Sequence, residues 1–152
     1  MTITIERADP GSAEILPLLL DGERYSASLY PAESNHILPV EALRAANVHF
    51  TVARHGSGAV LGTAALVLFD GWAEVKRMWV VPAARGKGIS NALLDDLESR
   101  AREEGVSLLR LETGVKNDAA LALYARAGFE PCAPFADYAS DPLSVFMQKT
   151  IA

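Results

Sequence analysis

Residues 74–97 constrain the fold of this chain more than any other stretch. Glu74-Val75-Lys76-Arg77-Met78-Trp79-Val80-Val81 has strand character and reaches Pro82, a short turn carries Arg85-Gly86-Lys87-Gly88, and Leu93, Leu94, Leu97 and Ala101 then recur on one helical face. Strand, tight loop and helix in direct succession set the first amides of a helix beside two glycines and two cations. Those amides have no intrahelical partner, and the helix dipole adds partial positive charge next to them. Phosphate is the anion such a loop fits. Gly86 and Gly88 permit close backbone approach and positive φ, while Arg85 and Lys87 strengthen the field.

Spacing narrows the phosphate ligand. A Walker loop needs glycine five positions before its Gly-Lys pair, where this chain has Val81, and Gly88 stands where Ser or Thr is required. A dinucleotide fingerprint needs a third glycine, where Asn91 stands. Both fail. Arg85-Gly86-Lys87-Gly88-Ile89-Ser90 does resemble the Arg/Gln-x-x-Gly-x-Gly/Ala signature of the GNAT superfamily of acyl-CoA-dependent N-acetyltransferases. Ser90 departs from Gly/Ala at the last position, and its hydroxyl is small enough to fit and able to donate to a phosphate.

A second stretch, Asn117-Asp118-Ala119-Ala120-Leu121-Ala122-Leu123-Tyr124-Ala125-Arg126-Ala127-Gly128-Phe129, is similar to the other half of the same family's cofactor site. Read from the residues alone, Asn117 is an N-cap, Ala120, Leu123 and Ala127 form a small-residue face, and Gly128 ends the helix. The resemblance implies acetyl-CoA as cosubstrate, held by Arg85, Gly86, Lys87, Gly88, Ile89, Ser90, Asn117 and Ala120. It also implies that Tyr124 sits by the sulfur and that the backbone of Met78, Trp79 and Val80 pairs with the pantetheine arm. From the residues alone, Tyr124 also suits a core tyrosine, and Asn117 a plain cap.

Length and composition set the outer bounds. At 152 residues, half of them apolar and 22% charged, the chain suits one domain over residues 1–152 with a sizeable core. No apolar run approaches the ~20 residues that span a bilayer. The amino terminus lacks a basic region before an apolar core, so a cytoplasmic protein without a membrane partner is expected. A net charge of −5 argues against a nucleic-acid partner. One cysteine and three histidines offer no metal-ligand spacing, and no metal is expected. A homodimer is left open.

In chain order, Thr2 to Arg7 reads as a strand, and Ser12 reads as the cap of a first helix with Pro17 as an irregularity. Glu23 to Ile37 reads as a loop or irregular helix, and Pro39 as the first turn of a short helix through Ala46. Val48–Ala53, Val60–Phe69 and the organising strand form a meander, its second turn at Asp70-Gly71. A helix to about Glu104, a strand over Ser107–Glu112, the helix of Tyr124, and strands over Phe129–Phe135 and Leu143–Lys149 complete an α/β chain. The resemblance implies the GNAT fold, a mixed, mostly antiparallel seven-stranded sheet with helices on both faces, in the order β-α-α-β-β-β-α-β-α-β-β.

That fold implies transfer of an acetyl group to a primary amine, on a small molecule or a peptide, by direct attack in a ternary complex. No Ser-His-Asp or Cys-His set suggests an acyl-enzyme. Glu74 is the candidate general base, on one strand face with Lys76 and Met78 unless a bulge intervenes. It could instead be a strand-end acid paired with Lys76, and His36, His49 or a water chain are the alternatives. Tyr124 is the candidate proton donor to the thiolate. The resemblance places the acceptor against the first two helices, which makes Tyr25, Tyr30, Glu33 and His36 candidates, with Tyr138 from the last loop. A non-catalytic acyl-CoA-binding module and use of another acyl-CoA are the alternative functions.

Overall fold

The computed structural model describes residues 2–151. Its strands are β1 (Ile3–Arg7), β2 (Val48–His55), β3 (Val60–Leu68), β4 (Ala73–Val80), β5 (Leu108–Gly114), β6 (Glu130–Cys132) and β7 (Ser144–Thr150). Its helices are α1 (Leu16–Leu29), α2 (Val40–Leu43), α3 (Ile89–Glu103) and α4 (Asp118–Arg126), with 3₁₀ turns at Ala32–Ser34 and Pro82–Ala84. The strands form one sheet in the order β1-β2-β3-β4-β5-β7-β6, and β4–β5 is its parallel pair. The mixed sheet and element order expected from sequence are what the chain adopts.

Each face of the sheet buries its own core. Leu93, Leu94, Leu97 and Ala101 of α3, with Leu123 and Tyr124 of α4, pack on Ala64, Leu66, Val75, Leu109 and Leu111. Ile15 and Leu19 at α1, with Leu43 of α2, pack on Phe50, Val52, Ala65 and Val67. The alternation of Leu66 with Ala65 and Val67 along β3 shows the period of two that sends neighbours to opposite faces.

β4 breaks that period. Lys76 pairs with Ala65 and Trp79 with Thr63, so Arg77 and Met78 together oppose one residue of β3. This is a β-bulge, and Arg77 takes a left-handed φ of 56° within it. The side-chain parity therefore reverses: Glu74 and Lys76 share a face, whereas Met78 packs against the α3 and α4 core. The expectation that Glu74, Lys76 and Met78 share one face is corrected by this extra residue.

Several boundaries also move. α1 continues through Tyr25 to Leu29, where the sequence reads as irregular, and Pro17 falls in its first turn, where the absent N–H is not needed. Ser12 accepts from Ile15 and Leu16 through its carbonyl, and the helix cap is Ile15. α2 is one turn long, with Pro39 as its cap. β6 is the sheet edge, where Pro131 is tolerated, and it stops at Cys132 ahead of Pro134, which cannot donate to a ladder; Phe135 turns into a cluster with Trp72, Tyr138 and Phe146.

Just past the bulge, β3 comes so close to the β4 backbone that a Cβ on Gly62 would lie 2.9 Å from the Trp79 carbonyl oxygen and 3.2 Å from Leu93 Cδ1. Gly62→Ala is expected to destabilise the protein by about 1–3 kcal/mol through overpacking, measured by chemical denaturation. Wild-type stability in that variant would show that α3 and β4 yield at no cost.

Candidate functional site

β4 and β5 pair only at Ala73–Leu109 and Glu74–Arg110, after which β4 stays with β3 and β5 with β7. The strands part into a cleft of about 590 Å³, walled by α1, the segment before α2, β4, the start of α3, β5 and α4. A parallel pair that separates leaves backbone donors and acceptors along the β4 edge for a ligand to engage.

One end of the cleft is built for an anion. Gly86 and Gly88 both adopt left-handed φ, 79° and 81°, and Gly88 is the cap residue from which α3 begins. No acidic residue lies in the first turn of α3, so its free amides meet no internal anion. Arg85 donates from Nε to the Val80 carbonyl at 3.1 Å, and its guanidinium lies 4.8 Å from the Trp79 ring, which fixes the charge beside the loop. Gly86, Gly88, Ile89 and Ser90 line the cleft with Arg85, whereas Lys87 is exposed and off the wall. Asn117 caps α4 by accepting from the Ala120 amide at 3.2 Å, and it lines the cleft with Ala120, Met78, Trp79, Val80 and Tyr124. Tyr124 is buried, and burial raises its pKa well above the ordinary range, so the phenol keeps its proton. Its hydroxyl has no hydrogen-bond partner among the described residues.

The other end is polar and closely tied. Tyr138 donates to Glu74 Oε2 at 2.5 Å and accepts from Lys76 Nζ at 2.7 Å, while Lys76 also donates to the His36 carbonyl at 3.0 Å. Glu74 is only 5% exposed and is not on the cleft wall. Glu112 is on that wall: its Oε2 accepts from Ser144 Oγ at 2.8 Å and lies 3.4 Å from His36 Nδ1. Arg77, also on the wall, donates to the Leu19 and Leu38 carbonyls and lies 3.3 Å from Glu23.

Of the acceptor-side candidates, Tyr25, Tyr30 and His36 reach the wall. Tyr30 accepts from the Lys116 amide at 2.9 Å and covers Gly114 so closely that a Cβ there would overlap its hydroxyl. Glu33 is exposed in its 3₁₀ turn and off the wall, and Tyr138 lies behind the wall, edge-on to His36 at 5.1 Å. His49 faces α3 and pairs with Asp96 at 3.0 Å, away from the cleft. The sequence reading missed Glu112 and Arg77. For Glu112 a signal existed, since buried Leu109 and Leu111 leave Arg110 and Glu112 on the opposite face of β5. Arg77 gave none, because its place depends on the bulge.

Among the described residues no group of three His, Cys, Asp or Glu is gathered to hold a metal, and no helix is long and apolar enough to cross a membrane. The family model for the acetyltransferase (GNAT) family matches residues 14–129. The chain is 44% identical over 151 residues to an IAA acetyltransferase of Azospirillum brasilense, covering 98% of each chain. Among solved structures it is similar to a Klebsiella pneumoniae protein provisionally assigned as an acyl-CoA N-acyltransferase, with a TM-score of 0.85 and 35% identity over 99% of each chain. The fold is shared with PaiA N-acetyltransferase of Thermoplasma acidophilum, solved in complex with coenzyme A, with a TM-score of 0.78 and 18% identity over 99% of each chain.

Burial raises the pKa of Tyr30, Tyr124 and Tyr138, and for Tyr138 the Glu74 carboxylate that accepts its proton adds to the shift. Below the ordinary tyrosine pKa of about 10, folded and unfolded states both hold these protons, and the contribution to stability is whole. Above it the unfolded chain ionises first, so stability is lost as pH rises. Denaturation midpoints are expected to fall above about pH 10, and less steeply in the Tyr124→Phe/Tyr138→Phe double variant. Equal slopes in the two proteins would contradict the assignment.

Proposed function

The chain belongs to the GNAT family of N-acetyltransferases and is an acyltransferase, and on that footing we propose that it moves the acetyl group of acetyl-CoA to a primary amine by direct attack in a ternary complex. What carries the proposal is one cleft that joins two left-handed glycines at the start of α3, an unpaired stretch of β4 and the unpartnered hydroxyl of Tyr124.

The pyrophosphate binds the amides opening α3, with Arg85 and Ser90 beside it. The pantetheine arm pairs with the free edge of β4 at Met78–Val80, and Asn117 and Ala120 of α4 close the far side. A main-chain amide of β4 polarises the thioester carbonyl.

Glu112 takes the role of general base that the sequence suggests for Glu74. Glu74 is buried beneath Tyr138 and Lys76, where an incoming ammonium cannot reach it, whereas Glu112 is open to the cleft. The ammonium gives its proton to Glu112, and the freed lone pair forms the N–C bond to the acetyl carbon. As the C–S bond breaks, its electron pair leaves on sulfur, and the proton shed by the new amide nitrogen ends on the thiolate. Tyr124 holds its proton more tightly than a thiol of ordinary pKa near 8.5. Its part is therefore a hydrogen bond to the leaving sulfur.

Single-turnover release of CoA thiol tests these roles. Glu112→Gln is expected to slow it by roughly 10²–10⁴-fold and Tyr124→Phe by about 10²-fold, with acetyl-CoA affinity retained in both. Glu74→Gln is expected to lower stability with a far smaller kinetic effect, since it disturbs a buried hydrogen-bonded carboxylate. A Glu74→Gln loss as large as that of Glu112→Gln would return the base to Glu74, and no thiol release from the wild type with any amine would refute acetyl transfer.

A further inference from the structure

Resting on the acetyl-transfer proposal, we propose that the acceptor carries a single ammonium on a flat or extended apolar body: an aryl- or alkyl-substituted primary amine with no carboxylate and no second cationic centre. Of the cations on the wall, Arg85 stands by the glycine loop and Arg126 at the end of α4, while those beside α1 and the segment before α2 are already engaged. Lys76 Nζ has three donors and three partners, the His36 carbonyl at 3.0 Å, the Tyr138 hydroxyl at 2.7 Å and Glu74 at 3.4 Å. Arg77 spends its guanidinium on two backbone carbonyls and Glu23. Lys116 lies off the wall, with its ammonium on the Leu29 carbonyl. An acceptor carboxylate would enter this end desolvated and unpaired, which is strongly unfavourable.

The same accounting limits positive charge. Glu23 is neutralised by Arg77, and Glu74 by Lys76 beneath the wall. Glu112 remains, facing the neutral Ser144 hydroxyl and the His36 ring. One carboxylate receives one ammonium. A second ammonium on the same molecule would find no carboxylate on the wall to replace its lost hydration.

The remaining wall carries only neutral groups: Ser26 and Thr113, Ser34 and Asn35 engaged with Asp141 and with the Tyr30 and Pro31 carbonyls, and an apolar surface beside them. Leu18, Tyr25, Tyr30, Ile37, Leu38 and Leu143 line it. Tyr25 is 38% exposed and Ile37 36%, in positions where an apolar ligand body would cover them and gain their burial. The bound ammonium loses one proton to Glu112, its nitrogen forms the N–C bond to the acetyl carbon as the C–S bond breaks with the electron pair on sulfur, and the second proton goes to the thiolate.

The test compares 2-phenylethylamine, phenylalanine and spermidine as acceptors with acetyl-CoA, following thiol release by the intact chain. Phenylalanine adds only a carboxylate to the first compound, and spermidine adds only further cations to an alkyl amine. The kcat/KM for 2-phenylethylamine is expected to exceed each of the others by at least ~10-fold. In Ile37→Arg, which adds an unengaged cation at the wall, phenylalanine is expected to gain on 2-phenylethylamine. Equal or better use of phenylalanine or spermidine by the wild type, or an unchanged ratio in Ile37→Arg, overturns the acceptor class and leaves acetyl transfer standing. A wild type that acetylates no amine of any class overturns both.

Discussion

Two parallel strands that stop pairing after Glu74–Arg110 leave main-chain groups unpaired in the middle of a sheet, and the rest of the molecule is arranged around that gap. An unpaired backbone donor or acceptor away from water is unfavourable by about 1–3 kcal/mol, so such a gap persists only where water or a ligand can fill it. β4 does not drift back to β5 because the bulge at Arg77 increases its twist and hands the following residues to β3. The left-handed φ of Arg77 costs roughly 1–2 kcal/mol for a residue with a Cβ. Its guanidinium offsets this by tying α1 and the segment before α2 to the sheet. One residue thus bends the strand and anchors the cleft wall formed by α1 and the segment before α2.

Burial also separates two acidic residues of the parting strands. Glu74 and Glu112 lie on the same side of the sheet, one on each parting strand. Glu74 sits where the strands still pair, sealed by Tyr138 and Lys76, and its contribution is to hold the loop between β6 and β7 against the sheet. Glu112 sits two residues beyond the last paired position, where the cleft has opened. The Ser34–Asp141 hydrogen bond at 2.7 Å and the edge-on contact of His36 with Tyr138 join the segment before α2 to that loop, and the contact of His36 with Glu112 joins it to β5.

Much of this was legible in the chain. The strand, glycine loop and helix of residues 74–97 and the helix of the Asn117–Phe129 stretch followed from local chemistry, and Gly86 and Gly88 take the left-handed φ that the loop needed. α1 was half legible: Pro17 and the aromatic, polar run after Glu23 obscured a helix held to the sheet by Ile15 and Leu19. The bulge was not legible, because nothing distinguishes Arg77 from its neighbours until β3 and β4 set their register. Without it Met78 falls on the face of Glu74 and Lys76. Tyr138 is 64 residues from Glu74, and no local pattern could show that its hydroxyl seals the carboxylate.

The parted edge of β4 and the start of α3 are proposed to form one continuous binding surface for acetyl-CoA. Amide hydrogen exchange with and without acetyl-CoA tests it most directly, because it reads main-chain groups without altering any side chain. The account predicts that exchange slows together at Met78–Val80, Gly86–Ser90 and the first turn of α4. Protection confined to other elements, or slowing at the glycine loop with β4 unchanged, would contradict it.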